Sequence, residues 1–227
     1  MTIAQSIRLV EEKINAAQES SNLAAKDVLL LVVSKTQSVE RIREALDAGL
    51  VNLGENRVQE LLDKYDQLPD AKWHLIGHLQ TNKVKYLIGK VQMIHSLDSL
   101  ELADEIQKRA AAAGMVMPVL VQVNIAEEET KFGMKEEEVE NFLHAVSKYP
   151  NLKVKGLMTI GPFVDDPEEI RPVFRSLRLL ADRMRALNIP NIDMEHLSMG
   201  MSNDYEVAIQ EGATIVRVGS SIFGHRI

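Results

Sequence analysis

Val28-Leu29-Leu30-Leu31-Val32-Val33-Ser34-Lys35-Thr36 decides how the rest of the chain is read. Six apolar, mostly branched residues run without a polar break, the pattern of a strand buried on both faces. A lysine follows two places after the run. It stands at the strand's carboxyl end, where open α/β sheets and barrels alike hold their ligands. Lysine fills a core poorly, and its amine becomes nucleophilic only when desolvated or set beside another cation. Lys35 is therefore either a solvated strand end or a reactive amine, and the remaining sequence has to separate the two.

Working outward, Ile3, Ile7, Val10 and Ile14 recur at helical spacing and predict an amphipathic helix before this strand. After it, strand and helix alternate. Ser38 caps a helix that Gly49 closes. Strands are predicted over 51–54, 73–76, 92–95, 118–125, 154–160, 193–197 and 214–218. Helices are predicted from Glu55-Asn56-Arg57 through Leu62, over about 82–88, from an Asp98/Glu101 capping pair to Ala113, and over 136–148. Two more follow, one from Asp166 and Pro167 to about Leu187 and a short one over 205–211. Eight strands, seven intervening helices and one leading helix predict an α/β protein, a closed (β/α)8 TIM barrel forming a single domain over 1–227. An open doubly wound sheet is the rival, but it requires the short second and fourth strands to be misreadings, and no Gly-x-Gly-x-x-Gly turn is present.

Composition narrows the functional classes. The 26 basic and 33 acidic residues leave a net charge of −7, and 4% of the residues are aromatic. Such a chain lacks the basic face that nucleic-acid phosphates require. There is no cysteine, hence no disulfide and no thiolate chemistry. His74, His95 and His196 lie on or beside predicted strands and do not show the i, i+4 helical pairing of a zinc site, so no metal is expected. Residues 1–18 do not read as a signal peptide, and no run reaches the ~20 apolar residues of a membrane helix, so a cytoplasmic protein is expected. The apolar helix faces are all used by the barrel, which makes a monomer the simpler expectation.

The strand ends converge on one face of a barrel. Here they supply Lys35, Asn56, His78, Ser96, Asn124, Thr159, Ser198 and Arg217. Two glycine-serine turns, Ser198-Met199-Gly200-Met201-Ser202-Asn203 and Gly219-Ser220-Ser221, follow strands seven and eight, the usual place of a barrel phosphate site. Arg217 lies within a buried strand and needs either a carboxylate partner or a ligand. An amine, a phosphate cradle and a buried arginine together fit pyridoxal 5′-phosphate, whose aldehyde condenses with lysine.

Several motifs carry a resemblance. Trp73-His74-Leu75-Ile76-Gly77-His78-Leu79-Gln80-Thr81-Asn82-Lys83 resembles the signature of the YggS/PROSC family of pyridoxal phosphate homeostasis proteins. So do Val33-Ser34-Lys35-Thr36, Gly54-Glu55-Asn56-Arg57-Val58-Gln59-Glu60, His196-Leu197-Ser198-Met199-Gly200-Met201-Ser202 and Arg217-Val218-Gly219-Ser220-Ser221-Ile222-Phe223-Gly224. The resemblance implies a barrel like the N-terminal domain of bacterial alanine racemase, with the cofactor held on Lys35 as an internal aldimine. It implies that Ser198, Gly219 and Ser220 hold the phosphate, with Ser202 close by. It further implies that Arg217 faces the pyridine nitrogen, that Asn56 and His78 lie beside the ring, and that Met199 and Met201 pack nearby.

The expected function is to bind, buffer and deliver the cofactor, serving vitamin B6 and amino-acid homeostasis without sustained catalysis and with transient contacts to apoenzymes. An arginine partner can only donate, so it leaves the ring a weak electron sink. The chain ends at Ile227, soon after the last unit, and no second domain is expected to cover the site or supply a base. The alternatives are a weak amino-acid racemase or aldolase using Tyr205 or His78 as opposing base, a cofactor-free aldolase working through Lys35, and a regulatory protein whose output is a protein partner. Lys131, in the Glu129-Thr130-Lys131-Phe132-Gly133 loop, is either a second amine used in loading or a solvated loop residue.

Overall fold

A computed structural model of the chain describes residues 1–128 and 130–224. Glu129 and the chain end at Ile227, both invoked above, lie outside the described residues. The elements run α1 (Ile3–Glu19), β1 (Leu29–Val33), α2 (Val39–Asp47), β2 (Asn52–Glu55), α3 (Val58–Tyr65), β3 (Lys72–Leu75) and β4 (Val91–Leu97). They continue with α4 (Leu100–Ala112), β5 (Met117–Gln122), α5 (Val139–Val146), β6 (Leu152–Met158), α6 (Arg171–Ala186), β7 (Ile192–Met201), α7 (Tyr205–Gln210), β8 (Ile215–Val218) and α8 (Ser220–Phe223). Each strand pairs in parallel with the next, and β8 returns to β1, so the sheet closes into the expected barrel.

Strand parity sets what faces inward. Leu31, Ile76, Met93, Leu120, Met158 and Ile215 form the inner core, with Leu29, Val33 and Ile160 against it. The alternate residues, Leu30 and Val32 on β1 and Val216 and Val218 on β8, join the outer layer between strands and helices. The period of two carries on past β1 and turns Lys35 inward at its open end. On β8 the same period turns Arg217 inward.

Four local expectations are corrected. Ser99, not Asp98, caps α4: its Oγ accepts from the Leu102 N–H at 3.3 Å, while Asp98 faces His78. The connection after β3 is a 3-10 turn, Thr81–Tyr86, because Val84 is its one buried residue and a single anchor cannot hold a longer amphipathic helix. Asp166 caps a 3-10 turn, Pro167–Ile170, and α6 begins only at Arg171. Finally, β7 runs on through Ser198-Met199-Gly200-Met201, which the glycine had made look like a turn. Gly200 sits at φ +91° with a would-be Cβ 2.5 Å from Ala208 Cβ, so the glycine serves close packing of α7 on β7.

Candidate functional site

A cleft of about 690 Å³ opens at the carboxyl ends of the strands. Lys35, Asn56, Ser202, Arg217, Gly219 and Ser220 all line it.

The backbone on either side of Lys35 is clamped. Lys64, on α3 and nearly buried, donates from Nζ to the Ser34 carbonyl at 2.8 Å, to Glu55 Oε1 at 2.8 Å and to Glu60 Oε1 at 2.7 Å. The Ser34 hydroxyl donates to Glu55 Oε1 at 2.8 Å, and the Thr36 N–H donates to Glu60. Thr36 holds φ +65°, a left-handed conformation that a threonine keeps only when its surroundings hold it there. Burial raises the pKa of Glu55, and bonds from Lys64 and Ser34 offset part of that rise. Burial also acts to raise Glu60, but Lys64 and the Thr36 N–H outweigh it and leave that carboxyl below its ordinary value. The Gly54-to-Glu60 motif thus has a use that sequence reading left unassigned. Two acids flanking a strand end, with Lys64 one helical turn beyond Glu60, were the available signal.

Arg217 is 4% exposed. Its Nη1 donates to Ser198 Oγ at 2.7 Å and its Nη2 to the Thr159 carbonyl at 2.9 Å. Burial pushes its pKa down to about 10, and Asp204 acts against that, so it remains a cation at neutral pH. Burial in turn raises the pKa of Asp204, whose carboxylate accepts from the Met201 N–H at 2.6 Å and lines the same cleft. Asp204 was not anticipated; its place at the entry to α7 is the only cue the sequence offers.

At the ends of β7 and β8, the N–H groups of Gly219 and Ser221 converge on one oxygen, Ser202 Oγ, at 3.1 and 3.4 Å. A Cβ at Gly219 would lie 3.2 Å from the Val33 carbonyl oxygen, so glycine lets β1 and this loop approach closely. The Oδ1 atom of Asn56 is buried with no hydrogen-bond partner among the described residues. A buried carboxamide oxygen left so at the edge of a cleft marks a place for a ligand's donor.

Three expected site residues lie elsewhere. Ser198 is fully buried and does not line the cleft; its hydroxyl is engaged with Arg217 and His95, whereas Ser202 does line the cleft. Met199 has the outward parity of β7 and packs in the outer layer; Met201 is the methionine on the cleft. His78 stands at the rim, its ring stacked on Phe132 with centroids 3.8 Å apart and its Nδ1 3.4 Å from Asp98 Oδ2. Lys131 pairs with Glu128 at 2.5 Å. Tyr205 is buried, and its pKa is raised by that burial to about 12.

Fold and site together define a (β/α)8 barrel that presents a clamped lysine, a buried arginine and a glycine-serine lip at one mouth. The family model described as alanine racemase, N-terminal domain, matches residues 10–227, and the chain belongs to that family, in its branch of pyridoxal phosphate homeostasis proteins. A pyridoxal phosphate homeostasis protein of Aquifex aeolicus is 50% identical over 228 residues, covering 100% of this chain and 99% of the relative. The structure of PipY, the COG0325 family member of Synechococcus elongatus PCC7942, with PLP bound, superposes with a TM-score of 0.86 at 32% identity, over 98% of this chain and 100% of that one. An alanine racemase of Clostridium difficile 630 shares the fold, with a TM-score of 0.76 at 17% identity over 98% of this chain and 57% of its own. No helix among the described residues is long and apolar enough to cross a membrane.

Proposed function

We propose that the cleft holds pyridoxal 5′-phosphate with Lys35 as its covalent anchor, and that the chain stores and hands over this cofactor without sustained turnover. The observation that carries the reading is the meeting of Lys35, Arg217, Ser202, Gly219 and Ser220 at one cleft. An amine, a donor suited to a ring nitrogen and a lip for an ester anion are together what a phosphorylated pyridine aldehyde needs. The PLP-bound relative supports the ligand, and the names of the curated relatives support a role in homeostasis. When bound, the cofactor supplies an aldehyde carbon for the lysine amine and a ring that draws electrons from that carbon.

The chain's own residues set the rest. Ser202, Gly219 and Ser220 hold the ester, while Arg217 donates to the ring nitrogen and offers it no proton to keep. That leaves the ring a weak electron sink. The two side chains considered as opposing bases also stand apart: His78 is turned to Phe132 and Asp98, and Tyr205 keeps its proton until about pH 12. Hand-over takes place by transient contact with apoenzymes, from a monomer working in the cytoplasm.

Two measurements test this. In a visible-absorbance titration, pyridoxal 5′-phosphate binds about a hundredfold more tightly than pyridoxal, and Ser202→Ala narrows that ratio about tenfold, the worth of a charge-assisted hydrogen bond. Equal affinity for the two aldehydes would remove the phosphate lip from the account. For the second half of the reading, loaded protein activates a pyridoxal-phosphate-dependent apoenzyme but does not exchange the α-hydrogen of L- or D-alanine over many turnovers; steady exchange would make it an enzyme.

A further inference from the structure

Inside the barrel, next to Arg217, lies a line of buried polar groups that no ligand contact requires. His74 Nδ1 stands 3.0 Å from His95 Nε2, with the rings edge to face, and His95 Nδ1 stands 3.1 Å from Ser198 Oγ. Ser198 Oγ accepts from Arg217 Nη1 at 2.7 Å. His95 and Ser198 are fully buried, and His74 and Arg217 are 4% exposed. No carboxylate lies within ion-pair distance of Arg217 among the described residues, so neutral acceptors are what hold this buried guanidinium.

Given the pyridoxal-phosphate reading above, on which this inference rests, we propose that His74, His95 and Ser198 form a proton-ordered relay that orients Arg217 and so sets the donor it presents to the cofactor's ring nitrogen. The order follows from counting donors. Arginine only donates, and a neutral imidazole has one N–H and one acceptor nitrogen. Ser198 Oγ accepts the Arg217 N–H and donates its own O–H to His95 Nδ1. His95 then carries its proton on Nε2 and gives it to His74 Nδ1, which leaves His74 protonated on Nε2. The reverse order would point two donors at Ser198 and leave its hydroxyl proton without an acceptor on this line. Both imidazoles must be neutral for the line to form. Burial, with the neighbouring ring and the Arg217 charge behind it, keeps His95 well below the usual histidine value, and burial lowers His74 to about 4. His74, His95 and Ser198 are positioning residues, acting on the ligand only through Arg217.

The first test needs no cofactor. Long-range ¹H–¹⁵N NMR of the ligand-free protein at pH 7 should show both rings neutral and protonated on Nε2; an Nδ1–H tautomer or a charged ring at either position overturns the proposal. The second reads the ring contact with pyridoxine 5′-phosphate, which keeps the ring nitrogen and the ester but has no aldehyde. Its affinity falls about tenfold in Ser198→Ala and in His95→Leu, the worth of one oriented bond to a charged donor, and His95→Asn recovers most of it. Should His95→Leu fail to fold, Ser198→Ala, smaller by one oxygen, carries the test alone. Unchanged affinity in a folded Ser198→Ala protein overturns the relay. The wild-type chain's failure to bind either phosphate ester would instead overturn the functional reading, with the tautomer result standing separately.

Discussion

Lys64→Met lowers the free energy of unfolding by about 3–5 kcal/mol, the cost of removing one partner from a buried ion pair. Methionine keeps the length and apolar volume of the lysine stem, so lost packing adds little. What is lost is the charge between Glu55, fully buried, and Glu60, which accepts from it at 2.7 Å. Glu55 is left with the Ser34 hydroxyl, and the Ser34 carbonyl loses its donor from Lys64. The damage therefore falls on the peptides that set the direction of Lys35. Replacing the stranded acid as well, in Glu55→Gln/Lys64→Met, recovers about half of the loss, because an amide is much cheaper to bury than an unpaired carboxylate. Urea unfolding of the three proteins at pH 7 checks this; a loss below about 1 kcal/mol in the single variant would mean that the cluster is solvated and no clamp exists.

Stability also falls on mild acidification, and the buried histidines cause it. His74 has a pKa of about 4 in the fold against 6.5 for a free imidazole. Between those values the unfolded chain binds the proton and the native state does not, so lowering the pH favours unfolding. The full contribution is present above pH 6.5 and fades toward pH 4, amounting to about 3 kcal/mol for His74 by linkage. His95 acts in the same direction, again chiefly through burial. Carboxylates enter with both signs: Glu60 is lowered and loses stabilisation in acid, while Glu55, Asp98 and Asp204 are raised and act against that. Replacing His74 isolates the imidazole part of the slope between pH 6.5 and 5. Unfolding free energies of wild type and His74→Gln across that interval should differ in slope, with the variant flatter; parallel curves would contradict the burial of a neutral ring.

Most of the barrel was legible because strand and helix patterns alternate between turn signals, and eight such units in one chain leave few alternatives. Strand ends moved by a few residues where hydrogen bonding continues past the apolar run, as at β7 through Gly200. The site was legible as a set of strand ends, but its facing was not fully worked out. Parity along β7 was available and would have sent Met199 outward. Ser198 has the inward parity yet sits below the cleft, because the depth of a residue depends on barrel stagger, which no local pattern records. His78 is carried to the rim by contacts with Phe132 and Asp98, two residues distant in sequence. Beyond its helical partner Glu60, Lys64 reaches Glu55 and Ser34, 9 and 30 positions away, and the His74–His95–Ser198 line spans gaps of 21 and 103 positions, contacts that only the folded barrel makes.

On the function proposed here, one amine, Lys35, anchors a phosphorylated pyridine aldehyde at the barrel mouth. The most direct measurement is borohydride reduction of the protein loaded with one equivalent of pyridoxal 5′-phosphate, followed by proteolysis and mass mapping. The account predicts one dominant modified peptide, carrying the reduced adduct on Lys35. Stoichiometric modification of Lys131, Lys64 or any other lysine in place of Lys35 would contradict it.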